Sequence, residues 1–185
     1  MMESGNTALE AKNICERIKA KVDKDRMEPT GNQNCLLCAW CAEAQFRGMD
    51  ILPRPVYSPR DVIFDFTNAE IVKNPSKIHF ENLEGLKQEV QKGQRFYCHV
   101  NWQDSEGGHE FLLLNLDGEE FVMDPQAGLF ANVDSEEGGY YFKDINFANS
   151  FLVRLDDKEL DEDILKYNSD EYIREFDEVE DLKYL

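Results

Sequence analysis

The sequence predicts an α+β fold in which a central helix packs on an antiparallel β-sheet. Apolar residues recur at helical spacing in the first half of the chain, over residues 8–24 and 35–47. From Arg95 onward the apolar residues alternate with polar ones, which is typical of strands. Asp117 and Gly118 lie between two such runs and are a strong signal for a two-residue hairpin loop. Helices first and antiparallel strands afterwards are the pattern of the α+β class.

Each predicted element has its own local signal. The prolines of residues 50–59 exclude regular structure there, and residues 63–72 carry no decisive pattern. A second amphipathic helix is predicted over residues 81–92, which end at Gly93. Three strands are predicted over 95–102, 109–116 and 119–124, and edge strands are expected at 140–142 and 151–155. Apolar spacing in the last thirty residues favours acidic helices.

Length and composition indicate a single globular domain with a flanking segment. The chain has 185 residues, of which 42% are hydrophobic and 11% aromatic, so it has enough apolar material for a core. No repeat or low-complexity linker divides it. Residues 1–155, including the helix at 8–24, are predicted to form this domain. Residues 156–185 are predicted to form an acidic C-terminal helical segment.

The charge is strongly negative and is concentrated at the C-terminus. The chain carries 38 acidic and 20 basic residues, for a net charge of −18. Residues 155–185 hold thirteen acidic and four basic side chains, a local net of −9. Such a surface repels phosphate groups, so neither nucleic acid nor an anionic membrane is an expected partner. The acidic run is interpreted as a solvated helical face. The alternative is a docking surface for a basic partner or an inhibitor.

The sequence also predicts a reducing, cytoplasmic environment. No apolar run reaches the roughly 18 residues that a membrane span requires. The first residues contain neither a basic segment nor an apolar segment of the kind found in secretory signals. Five cysteines are an odd number, so they cannot all pair within one chain. They are therefore expected to be thiols and not a disulfide framework.

Cys35 is the candidate nucleophile because it begins the best-bounded helix. Asn34 is a good N-cap and Gly48 a good C-terminal stop for a helix over residues 35–47. The unpaired N–H groups and the dipole of a helix start favour a thiolate. The Cys35 N–H could also contribute to an oxyanion hole. The helix interior is apolar nearly all round, which predicts a buried helix.

A metal site on the same helix is the alternative interpretation of its cysteines. Cys35, Cys38 and Cys41 are spaced by three residues, as in some ligand runs. Structural zinc needs four convergent ligands, usually as two separated pairs, and no second C-x-x-C follows. The residues between the cysteines are those of a packed helix. Cys38 and Cys41 are therefore predicted to pack in the core, and no metal or cofactor is expected.

His109 is the candidate general base, and Asp124 is its candidate partner. A two-residue loop at 117–118 places His109 opposite Gln126 and Asp124 opposite Phe111, all on one face of the hairpin. Cross-strand neighbours at these positions lie within reach of each other's side chains. A carboxylate beside the imidazole would fix its tautomer and stabilise its protonated form.

The order Cys, His, Asp in a chain of helices followed by strands resembles the papain superfamily. More narrowly, the sequence is similar to the papain-fold toxin family of glutamine deamidases, which occurs among bacterial effectors. The similarity covers residues 31–128 and rests on three short motifs, which are Asn34-Cys35-Leu-Leu-Cys38, Gly108-His109-Glu-Phe111 and Met123-Asp124-Pro125-Gln126. It implies that Cys35, His109 and Asp124 are catalytic. It also implies that Gln126 lies near the substrate and that Gln33 completes the oxyanion hole, as the papain-type glutamine does.

Three functions remain open at this point. The first is hydrolysis of a glutamine side-chain amide of a target protein, through a thioester, by a toxin that is delivered into another cell. The second applies the same chemistry to another bond, as a peptidase or a transglutaminase. Residues 47–55 resemble the pattern that follows the nucleophile helix in transglutaminase-like domains. The third is a non-catalytic module that binds a basic partner.

Overall fold

The described part of the chain contains four α-helices and six strands. The computed structural model describes residues 7–25, 35–54, 72–104 and 107–161. The helices are α1 (Ala8–Asp25), α2 (Cys35–Phe46), α3 (Leu83–Glu89) and α4 (Glu136–Tyr140), and a 3-10 turn spans Phe147–Asn149. The strands are β1 (Lys77–Ile78), β2 (Arg95–Asn101), β3 (Gly108–Leu116), β4 (Glu119–Asp124), β5 (Leu129–Asn132) and β6 (Phe151–Arg154). They form one antiparallel sheet in the order β1-β6-β2-β3-β4-β5.

The predicted β3–β4 hairpin is confirmed in loop length and register. Leu116 pairs with Glu119, and the pairing continues without a slip to Leu112 and Met123. Asp117 and Gly118 have φ values of 56° and 95°, as both central residues of a type I′ turn require. The turn chemistry of two adjacent residues therefore fixes which side chains of β3 and β4 share a face.

Helices cover both faces of the sheet, and β3 has apolar residues on each face. Leu112 and Leu114 pack with α1 and α2 in one core. Phe111 and Leu113 pack with Leu86 of α3 in a second core on the opposite face. Successive side chains of a strand point to opposite faces, so His109 belongs to the α3 face and Glu110 to the α2 face.

The central helix agrees with its prediction, apart from one buried charge. It begins at Cys35, ends at Phe46, and is followed by Gly48 with a φ of 83°. Cys38 and Cys41 are buried, as predicted. No disulfide links the five cysteines, all of which the structure describes. The exception is Glu43, which is fully buried although the helix reads as apolar nearly all round.

Other elements differ from the predictions. The strand expected at 140–142 is wrong, because Ser135 caps a short helix by accepting a hydrogen bond from the Gly138 N–H. The helix expected over 81–92 is shorter, since Asn82 caps its start and Val90 is already extended. Strand β5 was not predicted. Strand β6 is not at the edge, because it pairs with both β1 and β2.

Some predicted segments lie partly or wholly outside the described residues. The proline-rich loop at 50–59 is described only as far as residue 54, and the undecided segment 63–72 only at residue 72. Asn34, the predicted N-cap, lies outside the described residues. Of the acidic segment 156–185, residues 156–161 are described. Within them Leu160 is buried and bridges to Val72, while the division of the chain at residue 155 stays a prediction.

A close backbone approach at Gly138 positions α4, and this gives a stability prediction. A Cβ added at Gly138 would lie 2.1 Å from the carbonyl oxygen of Asn132, a contact that the backbone can relieve only by moving. We expect Gly138→Ala to destabilise the protein by about 1–3 kcal/mol, measured by urea unfolding. Gly139→Ala is the matched control, because its Cβ would lie an ordinary 3.6 Å from the Val133 carbonyl oxygen. Equal stability of the two variants would contradict the prediction.

Candidate functional site

The candidate site lies where β3 begins and β4 ends. His109 is the second residue of β3 and pairs with Val100 of β2. Asp124 is the last residue of β4 and pairs with Leu129 of β5. Because antiparallel neighbours run in opposite directions, the start of one strand and the end of the next meet at the same edge of the sheet. The hairpin thus brings together two side chains that are fifteen residues apart.

His109, Asp124 and Tyr141 form a hydrogen-bonded cluster on the α3 face. His109 Nε2 lies 2.6 Å from Asp124 Oδ2. The Tyr141 hydroxyl donates to the same carboxylate oxygen and lies 3.1 Å from His109 Nε2. The contact between His109 and Asp124 that the hairpin register predicts is therefore present, whereas the catalytic roles of the two residues stay predictions.

The Asp124 carboxylate is held on both of its oxygens. Oδ1 accepts hydrogen bonds of 3.0 Å from the backbone N–H groups of Gln126 and Ala127. Cys15 of α1 donates its thiol to the carbonyl oxygen of Leu129, 3.3 Å away, so α1 packs directly against this turn. Burial alone would raise the pKa of Asp124, but the hydrogen bonds from His109, Tyr141 and Ala127 lower it below its usual value. Asp124 is thus ionised at neutral pH.

An ionised Asp124 determines the tautomer of His109. A carboxylate only accepts hydrogen bonds, so the contact at 2.6 Å requires the proton to be on Nε2. In neutral imidazole the other nitrogen, Nδ1, is then the acceptor. Within the described residues Nδ1 has no hydrogen-bond partner. The ring is also nearly parallel to that of Trp102, with 6.4 Å between the ring centroids and 21° between the planes. His109 is therefore a held imidazole with one nitrogen available for proton transfer.

A cavity of about 690 Å³ opens beside this cluster. Ring systems and carboxylates form most of its wall, and Gln126 and Ala127 of the β4–β5 turn complete one side. Gln126, the predicted substrate-side residue, therefore lines the cavity. The lining residues are Trp102, Asp104, Gly108, His109, Asp124, Gln126, Ala127, Tyr140, Tyr141 and Asp144. A largely preformed concave site with a few convergent polar groups is the usual form of a small-ligand or side-chain pocket.

Cys35 begins α2, but its thiol contacts Glu110 and not His109. The sulfur donates to Glu110 Oε2 at 2.7 Å. In the part of the chain that the structure describes, no hydrogen bond joins Cys35 to His109, and Cys35 does not line the cavity. Glu110 precedes Leu112 and Leu114 on the α2 face, whereas His109 belongs to the opposite face. The structure therefore brings His109 and Asp124 together and keeps the Cys35 thiol on the other side of β3.

The expected thiolate at the helix start is not present. Burial, followed by the charge of Glu110 and its hydrogen bond, raises the pKa of Cys35 well above its ordinary value. Hydrogen bonds from the backbone N–H groups of Glu110 and Leu36 act in the opposite direction but are weaker. The sulfur consequently carries its proton at neutral pH. The helix dipole falls off within one turn and is outweighed by burial and by the adjacent carboxylate.

Glu110 and His99 are two residues beside Cys35 that the sequence interpretation missed. Glu110 Oε1 lies 2.9 Å from His99 Nδ1, and the two residues face each other across β2 and β3. His99 Nε2 in turn lies 3.3 Å from the Asn101 amide nitrogen. His99 is half-buried, and both of its ring nitrogens are engaged. The available signal was the alternation of β3, which places Glu110 on the face opposite to that of His109.

Two further residues bear on the site, Gln33 and Tyr141. Gln33, the predicted oxyanion-hole residue, lies outside the described residues. Tyr141 was not among the candidate residues, since it was placed in a strand and not at the end of a short helix.

None of the helices among the described residues is both long enough and apolar enough to cross a bilayer.

Comparisons with known proteins identify no relative. No protein-family model, no curated protein and no solved structure matches this chain.

Proposed function

We propose that the protein is a cysteine-dependent amide hydrolase that converts a glutamine side chain of a target protein to glutamate. The observation that carries the proposal is the state of His109. Its Nε2 is held by the ionised Asp124, its Nδ1 is without a partner among the described residues, and the residue lines a cavity. A carboxylate-held imidazole with one free nitrogen is the arrangement of a general base.

Cys35 is the nucleophile of the proposed reaction. It is the first residue of a buried helix, and its sulfur reaches Glu110, the residue next to His109 on β3. Because the structure holds the thiol and His109 on opposite sides of β3, the proposed reaction requires a rearrangement in which the thiol leaves Glu110 and reaches His109. The backbone N–H of Cys35, at the start of α2, is the group that we assign to the developing oxyanion.

The reaction then proceeds in two steps, which are formation of a thioester and its hydrolysis. His109 Nδ1 takes the thiol proton, the sulfur attacks the amide carbon, and the carbon–nitrogen bond breaks as His109 returns that proton to the departing ammonia. Water, deprotonated by His109, next attacks the thioester, the carbon–sulfur bond breaks, and the proton returns to the sulfur. Asp124 stabilises the protonated imidazole throughout.

The α+β architecture supports a papain-like arrangement as the finer fold assignment. A buried helix bearing the cysteine packs on an antiparallel sheet, and the histidine and the aspartate follow in that order on adjacent strands. The motifs that resemble the papain-fold toxins coincide with these positions, which favours a bacterial effector of that kind. Fold likeness by itself supports the reaction class and not the target.

The proposal is tested by following glutamine residues by mass spectrometry. A whole-cell protein extract is incubated with the protein, and peptides are searched for conversion of glutamine to glutamate, with ammonia release measured in parallel. We expect conversion with the native protein and none with Cys35→Ala, which removes only the sulfur. Conversion at the same level by Cys35→Ala would contradict the proposal.

The same experiment separates the alternatives. New peptide termini that depend on Cys35 would indicate a peptidase. Incorporation of an added primary amine at glutamine would indicate a transglutaminase, in which an amine replaces water in the second step. The absence of every change that depends on Cys35 would favour a non-catalytic module that binds a basic partner.

A further inference from the structure

Glu110 occupies a position that the proposed reaction does not use. Its side chain is almost completely buried on the α2 face of β3. Both carboxylate oxygens are engaged, one by the Cys35 thiol at 2.7 Å and the other by His99 Nδ1 at 2.9 Å. Asn101 in turn lies against His99 Nε2. A chain of four residues from α2, β3 and β2 therefore ends on the candidate nucleophile.

We propose that Glu110 is the positioning residue of Cys35, and that its carboxylate, oriented by His99, accepts the hydrogen bond of the thiol and directs the thiol away from His109. This inference rests on the proposed function in that it takes Cys35 as the nucleophile. The structure is accordingly that of a resting protein. Catalysis requires the thiol to exchange the carboxylate of Glu110 for the imidazole of His109.

The charges around the sulfur agree with this role. Burial would raise the pKa of Glu110, but hydrogen bonds from His99 and Cys35 lower it, so the carboxylate remains ionised. Tyr97 of β2 and Tyr141, which follows α4, also lie near enough for Cys35 to affect their pKa values. Glu110 is the carboxylate that acts on the sulfur, both through its charge and as the acceptor of the thiol proton.

The test measures the reactivity of one thiol and needs no substrate. The thiolate displaces iodide from iodoacetamide, so the alkylation rate of Cys35, followed by peptide mass spectrometry across a pH series, reports its ionisation. In the native protein we expect half-maximal reactivity at a pH clearly above about 8.5, the value of an ordinary cysteine. Half-maximal reactivity at or below that value would overturn the proposal without any variant.

Two substitutions separate the charge from the packing. Glu110→Gln keeps the shape and removes the charge, so we expect faster alkylation at neutral pH, by about tenfold for each unit by which the thiol pKa falls. Glu110→Asp keeps the charge, and its rate should stay near the native value. Glu119→Gln, an exposed change on β4, is the control for net charge and should leave the rate unchanged. Equal acceleration in the Gln and Asp variants, or none in Glu110→Gln, would overturn the proposal.

This outcome is independent of the proposed function. If the protein deamidates no glutamine, the alkylation rates of Cys35 in the native protein and in Glu110→Gln can still be those expected here. In that case Glu110 positions a thiol that has another role. Conversely, deamidase activity together with a Cys35 alkylation rate that Glu110→Gln leaves unchanged would support the proposed function and overturn this inference.

Discussion

Asp124→Asn is expected to lower the rate of amide hydrolysis by about 10⁴-fold while the protein stays folded. The asparagine can still accept the backbone N–H groups of Gln126 and Ala127 through its carbonyl oxygen. Its amide group would face His109 Nε2, which now lies 2.6 Å from a carboxylate oxygen. An N–H donor there forces Nε2 to accept and moves the imidazole proton to Nδ1. The nitrogen that has to take the thiol proton is then blocked.

The measurement is the rate of glutamine conversion for Asp124→Asn, compared with a matched loss of charge elsewhere. Asp134→Asn is the control, because Asp134 is exposed, pairs with Lys87 and does not line the cavity. We expect its rate to be within a factor of two or so of the native rate, since exposed ion pairs contribute little. An Asp124→Asn rate within about tenfold of the native rate would show that His109 does not depend on a carboxylate, contrary to the triad logic.

Glu43→Ala is expected to destabilise the protein by about 3–5 kcal/mol. Glu43 is fully buried in α2 and accepts hydrogen bonds from two arginines, Arg47 at 2.7 Å and Arg95 at 2.8 and 2.9 Å. Arg47 also donates to the carbonyl oxygens of Leu155 and Lys158. Removal of the carboxylate leaves two largely buried cations without their anion. The expected loss in the free energy of unfolding is therefore that of an uncompensated buried charge and not that of one lost contact.

Urea unfolding, followed by the fluorescence of Trp40 and Trp102, measures this effect. Glu43→Gln should fall between the native protein and Glu43→Ala, because it keeps the shape and part of the hydrogen bonding. Glu89→Ala, an exposed change near the end of α3, is the control and should stay within about 0.5 kcal/mol of the native protein. A loss of less than about 1 kcal/mol in Glu43→Ala would mean that solvent reaches the arginines and replaces the carboxylate.

The local parts of the fold could be predicted because each depends on a few adjacent residues. The helix that begins at Cys35 follows from its apolar run and from Gly48, whose φ of 83° ends it. The β3–β4 register follows from the turn at Asp117 and Gly118. The β5 strand and α4 were missed because each has only four or five residues, too few for a periodic apolar pattern. The buried Glu43 was missed because its second partner, Arg95, is 52 residues away.

For the candidate site, the sequence determined that His109 and Asp124 share a face, since two-residue periodicity and a two-residue loop are local properties of the chain. Only the tertiary structure decided which face α2 covers. That choice depends on the burial of Leu112 and Leu114 against the helix, and it places Glu110, with His99 behind it, against the Cys35 thiol. Packing between distant segments therefore decides the ionisation of the sulfur, because burial and then an adjacent carboxylate outweigh the dipole of the helix start.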